Sequence, residues 1–377
     1  MAQFPPLDRL VRKETALGTL RELQPPTDHI GSTVAPMMEV GSDDVIFDYA
    51  QGLTDGLAPA RAEDAEAELA QKDLIGGGSG RASVIDWAMK DVYSASDVSR
   101  YRETLLIAQR LGTNSLTLPL TVGSQIEDFR AKVARDDALR RRKLDNRLEW
   151  MRMNPLDTGG LSYNDGKISF SIDYGRPADQ TDQAPTGGLF SLTTSDPIGA
   201  VKAAQRTVYE RYGVKLGRII TSQKVVDSLV NSTKFVARLG MVVGGTPSSP
   251  IDLNYIVDGY GPDMLKTILE RATNTRVNVY DAVYRTRAVG SNTVVNHRFT
   301  NEDKMYLLPD EASFADLDDA IGFAKVLTSP HPEGNWTPGF YEWEEDKKDP
   351  WGTVRGTGIK AFPVFVHLDW TYTMDVL

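Results

Sequence analysis

From Gln125 to Met153 the chain carries neither proline nor glycine, and Asn154-Pro155 closes the run. Ser124 stands before it as a capping residue, so the sequence predicts one helix over 125–153. At 1.5 Å per residue it would be about 44 Å long, where a usual helix has about three turns. Its apolar positions are Ile126, Phe129, Val133, Leu144, Leu148 and Met151, and among them lies a charged middle with Arg140, Arg141, Arg142 and Lys143 beside Asp136, Asp137 and Asp145. A narrow apolar stripe broken by charge predicts a spine that packs at its ends and meets other surfaces along its middle. Asp136 with Arg140 and Asp137 with Arg141 stand near i,i+4 spacing, which favours local ion pairs or contacts with other subunits over a nucleic-acid site.

After this helix, GGLSYNDGKISFSIDYG has Asn164-Asp165-Gly166 for a tight turn and alternating Ile168, Phe170 and Ile172 beyond it, the pattern of a β-hairpin. A proline- and glycine-rich stretch, 176–188, leads to a region of about 191–325 that alternates helix and strand. Asp196-Pro197 opens the helix IGAVKAAQRTVYERYG, and GRIITS, QKVVDSLVNS, PDMLKTILERAT, VNVYDAVYRT and KMYLLPD follow. Such alternation predicts a compact α/β or α+β domain. From Pro330 the chain is aromatic and then strand-like, and it is expected to pair back onto the sheet beside the long helix.

The first forty residues hold Pro5, Pro6, Pro25, Pro26 and Pro36 around one short helix-prone run. Paired prolines favour extended chain, so this is read as an arm that gains order only by lying on its own subunit or a neighbour. From Met37 to about Tyr93, the pieces VIFDYA and SVIDWAMKDVY flank an acidic run, ARAEDAEAELAQKD, and the glycines Gly76, Gly77, Gly78 and Gly80. This predicts a long hairpin whose flexible tip includes those glycines. SASDVSRYRETLLIAQRLG reads as a helix with Ser94 or Ser96 as its cap and Gly112 as its stop.

A chain of 377 residues can bury two or three cores. It has no cysteine, hence no thiolate site or disulfide, and no apolar run of bilayer length or signal-peptide type, so synthesis in a cytoplasm is expected. A formal charge of −10 opposes specific DNA reading but suits a wall facing packed DNA. His29, His297, His331 and His367 are scattered, without the spacing of a catalytic metal site. GGGSGR lacks the lysine and the strand-to-helix context of a phosphate loop, and no nucleophile elbow occurs. No catalytic residue, metal or cofactor is therefore assigned. Surplus contact surface without chemistry points to assembly.

Three stretches carry a resemblance: Arg147-Leu148-Glu149-Trp150 through Thr158-Gly159-Gly160 to Asp173-Tyr174-Gly175; the run DPIGAVKAAQRTVYERYGVKLGRIITSQKVVDSLVNS; and KMYLLPD with the proline- and tryptophan-bearing segment after it. In this order they resemble the major capsid proteins of tailed phages, in particular the family of the lambda head protein E. The resemblance covers the chain from about residue 95 onward, while the arm and loop match in kind.

That resemblance implies the α+β tailed-phage major capsid (Johnson) fold. It would comprise an N-terminal arm (1–40), an extended loop (41–94), a peripheral domain with the spine helix (95–190), an axial domain (191–325) and return strands of the peripheral domain (326–377). It further implies hexamers and pentamers of this chain in an icosahedral shell around double-stranded DNA, a separate scaffolding protein, a portal and in many relatives a decoration protein. Arg140 to Lys143 and the glycines Gly76 to Gly80 are then candidate assembly contacts. Charge reversal at Arg141 and Arg142 is expected to impair assembly more than folding. Two other readings stand beside this one: an encapsulin-like nanocompartment shell, and a soluble α/β enzyme whose site escapes motif reading.

Overall fold

The long helix dominates the computed structural model, which describes residues 10, 13–50, 77–110, 120–166, 168–243, 262–287, 293–310, 322–349 and 351–377. Before it come α1 (Lys13–Glu22), α2 (Gly31–Val34), β1 (Met37–Glu39), β2 (Asp44–Ala50), β3 (Gly77–Ser83), β4 (Ile85–Ser94) and α3 (Ala95–Arg110). The long helix itself, α4, runs from Leu120 to Thr158, 39 residues and about 58 Å. It exceeds the predicted span at both ends. Leu120 to Ser124 are already helical, with Gly123 among them, so Ser124 is not its cap. In α3 it is Ser94 whose hydroxyl accepts from the Asp97 amide, while the expected stop at Gly112 lies outside the described residues.

Pro155 sits inside the last turn of α4, where its missing N–H costs one bond. The turn persists because its carbonyls find other donors. Arg176 donates from Nη1 to the Leu156 oxygen at 2.7 Å and from Nη2 to the Asp157 oxygen at 3.0 Å. A cation at a helix C-terminus also opposes the negative end of the macrodipole. Gly159, at φ +76°, then turns the chain. The expected hairpin follows as β5 (Gly160–Asn164) and β6 (Ser169–Asp173), with Asp165 and Gly166 in the turn.

Further along lie α5 (Pro197–Tyr212), β7 (Leu216–Thr221), α6 (Gln223–Ser228), α7 (Thr233–Val243), α8 (Pro262–Thr273), β8 (Arg276–Val279), β9 (Val283–Arg287), β10 (Val294–Arg298), β11 (Lys304–Pro309), β12 (Ala324–Thr328), β13 (Phe340–Lys348), β14 (Trp351–Phe365) and β15 (Tyr372–Asp375). α7 is absent from the sequence expectations. Its start is fixed by Ser232, whose hydroxyl accepts from the Phe235 amide at 3.3 Å, and it buries Phe235 and Val236.

β14 is the axis of the larger sheet. β4 runs antiparallel along one edge, β13 and β12 follow one another along the other, and β1 adds parallel to β12. α4 crosses one face of this sheet, so that Leu144, Leu148 and Met151 share a buried cluster with Trp87, Val326, Ile359 and Ala361. Glycines interrupt β14 where aromatic rings of β13 cover it: a Cβ at Gly358 would lie 2.4 Å from the Tyr341 ring. Tyr341 is buried and cannot swing away, so Gly358→Ala is expected to lower unfolding stability in urea by about 1–3 kcal/mol.

The second sheet has the order β15-β11-β7-β8 and packs Ile219, Val277, Met305 and Leu307 against Val201, Val225, Leu265 and Leu269 of the helices. β15 corrects the expectation that all of 326–377 returns to the peripheral sheet. The turn after Phe365 carries Trp370 and Met374 into this second core instead. VNVYDAVYRT divides between two sheets: β8 stays in the second sheet, while β9 pairs with β10 in a separate ribbon.

Asp196 caps α5 by accepting from the Gly199 amide at 2.9 Å, and that bond holds its carboxyl below the ordinary 3.8. A depressed folded value means that the cap's contribution is complete above the unfolded value and is lost as the pH falls through the folded one. Asp196→Ala should therefore cost about 1 kcal/mol in thermal unfolding at pH 7, and the difference from the parent should vanish in acid.

Candidate assembly surface

The charged middle of α4 divides between inside and outside. Arg140 is 2% exposed and Arg141 7%, whereas Arg142 and Lys143 face solvent. Neither inward arginine has the partner predicted for it. Arg140 pairs with Asp137 and with Asp91 of β4, and its Nε donates to the Thr357 hydroxyl at 3.1 Å. Arg141 holds Asp145, one turn on, at 3.0 Å.

Asp137 lies on the apolar stripe, where a charge would be costly without compensation. It is compensated by Arg355 of β14, a fully buried guanidinium that also holds Glu342 at 2.6 Å and Glu344 at 2.9 Å. Burial alone would lower the Arg355 pKa, but Glu342, Asp137 and Glu344 outweigh it and raise the value above normal. The helix is thus tied to the sheet by charge along the interval where its apolar contacts stop.

A second stripe, Arg141, Asp145, Glu149 and Arg152, binds the arm by its backbone. Arg141 donates to the Leu20 carbonyl at 2.8 Å and stacks 3.3 Å above the Phe340 ring. Glu149 accepts from the amides of Ile30 at 3.0 Å and Gly31 at 2.9 Å, and from the Tyr280 hydroxyl at 2.7 Å. Arg152 donates to the Ala35 carbonyl at 3.0 Å. A Cβ on residue 31 would come within 2.5 Å of the Glu149 carboxylate, which is why glycine stands there. Burial also raises the Asp145 carboxyl above its usual range against the pull of Arg141. Of the two surfaces open to the arm, residues 20–35 therefore lie on their own subunit, and Arg140 and Arg141 are internal ties. The expectation of assembly contacts at those two positions is corrected.

For the glycines it is the flexible-tip reading that is corrected. Gly77, Gly78 and Gly80 are strand residues of β3, paired with Ala50, Tyr49 and Phe47 of β2. Gly76 and the predicted tip, 51–76, lie outside the described residues. The β2–β3 and β9–β10 ribbons pair with no third strand among the described residues. Exposed apolar side chains include Val92 at 60%, Val294 at 59% and Trp336 at 72%. Among the described residues no three His, Cys, Asp or Glu converge as a metal-ion site, and no helix is long and apolar enough to cross a membrane.

The model of the family described as phage major capsid protein E matches residues 76–349, well over half of the chain. The chain belongs to that family. It is a capsid shell protein with a structural role, and its place is the virion capsid. A candidate capsid protein of an Escherichia coli CFT073 prophage is similar in fold, with TM-score 0.57 at 13% identity over 97% of this chain and 99% of that one. A phage-related protein of Bordetella bronchiseptica RB50 gives 0.49 at 12% identity over 97% of both chains, and the mature capsid of bacteriophage PhiM1 gives 0.46 at 9% identity over 92% and 86%. Comparison with curated proteins finds no match. With the tailed-phage major capsid fold established, α4 is the spine of a capsid subunit, and the inward Arg140 and Arg141 belong to the rigidity of each subunit of this capsid protein.

Proposed function

We propose that this capsid protein assembles as hexamers and pentamers into an icosahedral head around double-stranded phage DNA, without catalytic activity of its own. The second sheet and its helices serve as the axial domain near the symmetry axes. The part built on α4 and β14 is the peripheral domain, and the β2–β3 ribbon with residues 51–76 is the loop that laps a neighbour. The observation that carries this reading is that the β2–β3 and β9–β10 ribbons, like β5–β6, have no third strand among the described residues. Such ribbons are marginal alone and gain stability from a partner surface. A separate scaffolding protein, a portal at one vertex and a decoration protein are the expected partners, and synthesis and assembly take place in the bacterial host cytoplasm. Of the assembly-contact candidates on α4, Arg142 and Lys143 remain.

Expression of the chain with and without the products of its neighbouring genes, followed by negative-stain microscopy, tests the proposal. Capsomers, sheets, tubes or shells are the expected products. Only small discrete oligomers under every condition would contradict it, and shells holding a protein cargo and no DNA would replace it with a nanocompartment.

A further inference from the structure

One groove, of about 530 Å³, opens between the outward side of α4, the start of β4, the β5–β6 hairpin and β9. Three guanidiniums line it, Arg147 of α4 with Arg285 and Arg287 of β9. None of them forms an ion pair with a described residue, whereas Arg140, Arg141 and Arg355 are each tied to carboxylates. Arg285 and Arg287 are exposed. Arg147 is held by rings, 4.9 Å from the Trp87 centroid, 5.1 Å from Trp150 and 4.8 Å from Tyr163. Rings engage a guanidinium by its faces and leave the N–H donors at its edge available. The two acids in the lining have partners already: Asp86 accepts from the Tyr341 hydroxyl and Asp165 from the Ile168 amide. Lys143 also stands in the lining, but it borders the neighbouring cleft of Asp91, Asp97 and Asp136 as well and is left to the contacts between chains.

We propose that this groove holds the phosphate backbone of the enclosed double-stranded DNA and so marks the inner face of the wall, an assignment that rests on the shell-forming reading above. Arginine presents a planar fork of donors that matches phosphate oxygens two at a time. Arg285 and Arg287, two residues apart on one strand, share a side and stand about 7 Å from each other. With Arg147 across the groove they offer three forks to a ridge of phosphates. The duplex carries a charge every ~1.7 Å of its axis, so a backbone crossing the groove needs no particular sequence. The remainder of the chain opposes the contact, with 52 acids against 42 bases overall. A few phosphates held by each subunit, in a wall that otherwise repels them, order the outermost DNA without trapping it.

Single-stranded nucleic acid would need free ring faces for stacking. Here the rings of Trp87, Trp150 and Tyr163 are engaged by Arg147 and by one another, with centroids 5.1 Å apart for Trp87 and Tyr163 and 6.2 Å for Trp150 and Tyr163. A peptide would draw its specificity from pockets for its side chains. The rings that could form such a pocket are filled by Arg147. Guanidinium edges are what the groove has left to offer, and they suit a row of phosphates.

The test is binding of the unassembled full chain to a labelled mixed-sequence duplex of about 20 base pairs over a range of salt concentrations. The wild type is expected to bind with a Kd of about 10⁻⁵ M at low salt, and log affinity should fall against log salt with a slope of about −3. R285Q/R287Q should lose about ten-fold in affinity at low salt and keep a slope of about −1, with unfolding temperature and circular dichroism unchanged. K202Q/R206Q removes two exposed cations of α5 and should bind like the wild type. No binding by the wild type, equal losses in the two variants, or no loss in R285Q/R287Q would overturn the assignment while leaving the shell reading intact. R285Q/R287Q that binds the duplex normally but forms no shells would make the groove a contact between chains instead. Closed empty shells offered a duplex of about 200 base pairs from outside should bind none of it. Binding per subunit equal to that of the free chain would put the groove on the outer face and overturn its inward placement. A wild type that binds the duplex through the groove but never assembles would count against the shell reading alone.

Discussion

Arg355→Met is expected to destabilise the subunit by about 3–5 kcal/mol, because it leaves Asp137, Glu342 and Glu344 without the guanidinium that holds all three. Methionine fills much of the space of the aliphatic stem, so the loss reflects charge more than a cavity. Asp137 keeps Arg140, but Glu342 and Glu344 lose the guanidinium between them, and taking up protons relieves their charge. The deficit against the parent should accordingly shrink as the pH is lowered toward 4, whereas the cost of a cavity would not change with pH. Urea unfolding of the two proteins at pH 7 and pH 4.5 measures both effects. A deficit below about 1 kcal/mol at pH 7 would mean that α4 is not tied to β14 in this way.

Arg141→Glu should have a comparable effect, and Arg142→Glu almost none. The first places a carboxylate against buried Asp145, removes the donor to the Leu20 carbonyl and empties the face of Phe340. A cost of about 3–5 kcal/mol follows, with the arm released from α4. The neighbouring Arg142 is exposed, and its reversal should change stability by no more than about 0.5 kcal/mol. Thermal unfolding of the unassembled subunit, with limited proteolysis of residues 13–40 as a second readout, separates the two. Equal effects at 141 and 142 would restore the picture in which both face outward.

That contrast shows what the sequence could and could not convey. The existence of α4, the β5–β6 turn at Asp165-Gly166 and the alternation from α5 to β11 were legible because they rest on local signals: capping, turn chemistry and periodicity. Helix ends were less so. Pro155 is an ordinary stop signal, and the last turn stays closed with help from Arg176 and Thr373, both distant in sequence from the carbonyls they cap. The inward set of charges was half readable. Arg141, Asp145, Glu149 and Arg152 recur at intervals of four, four and three, which places them on one face, but nothing local says that an arm with a glycine at 31 covers that face. Arg355 carries no signal at all, since its partners come from α4 and β13. A charged helix middle was therefore read as a surface awaiting a neighbour, when half of it is the inside of the subunit.

The most direct measurement is a reconstruction of the assembled shell at side-chain resolution. In every symmetry environment it should show Arg355 on Asp137 and Glu342, and Arg141 on Asp145, of the same chain, with Arg142 and Lys143 at contacts between chains. Arg140 and Arg141 pairing across subunits, with Arg142 and Lys143 open to solvent, would contradict the account.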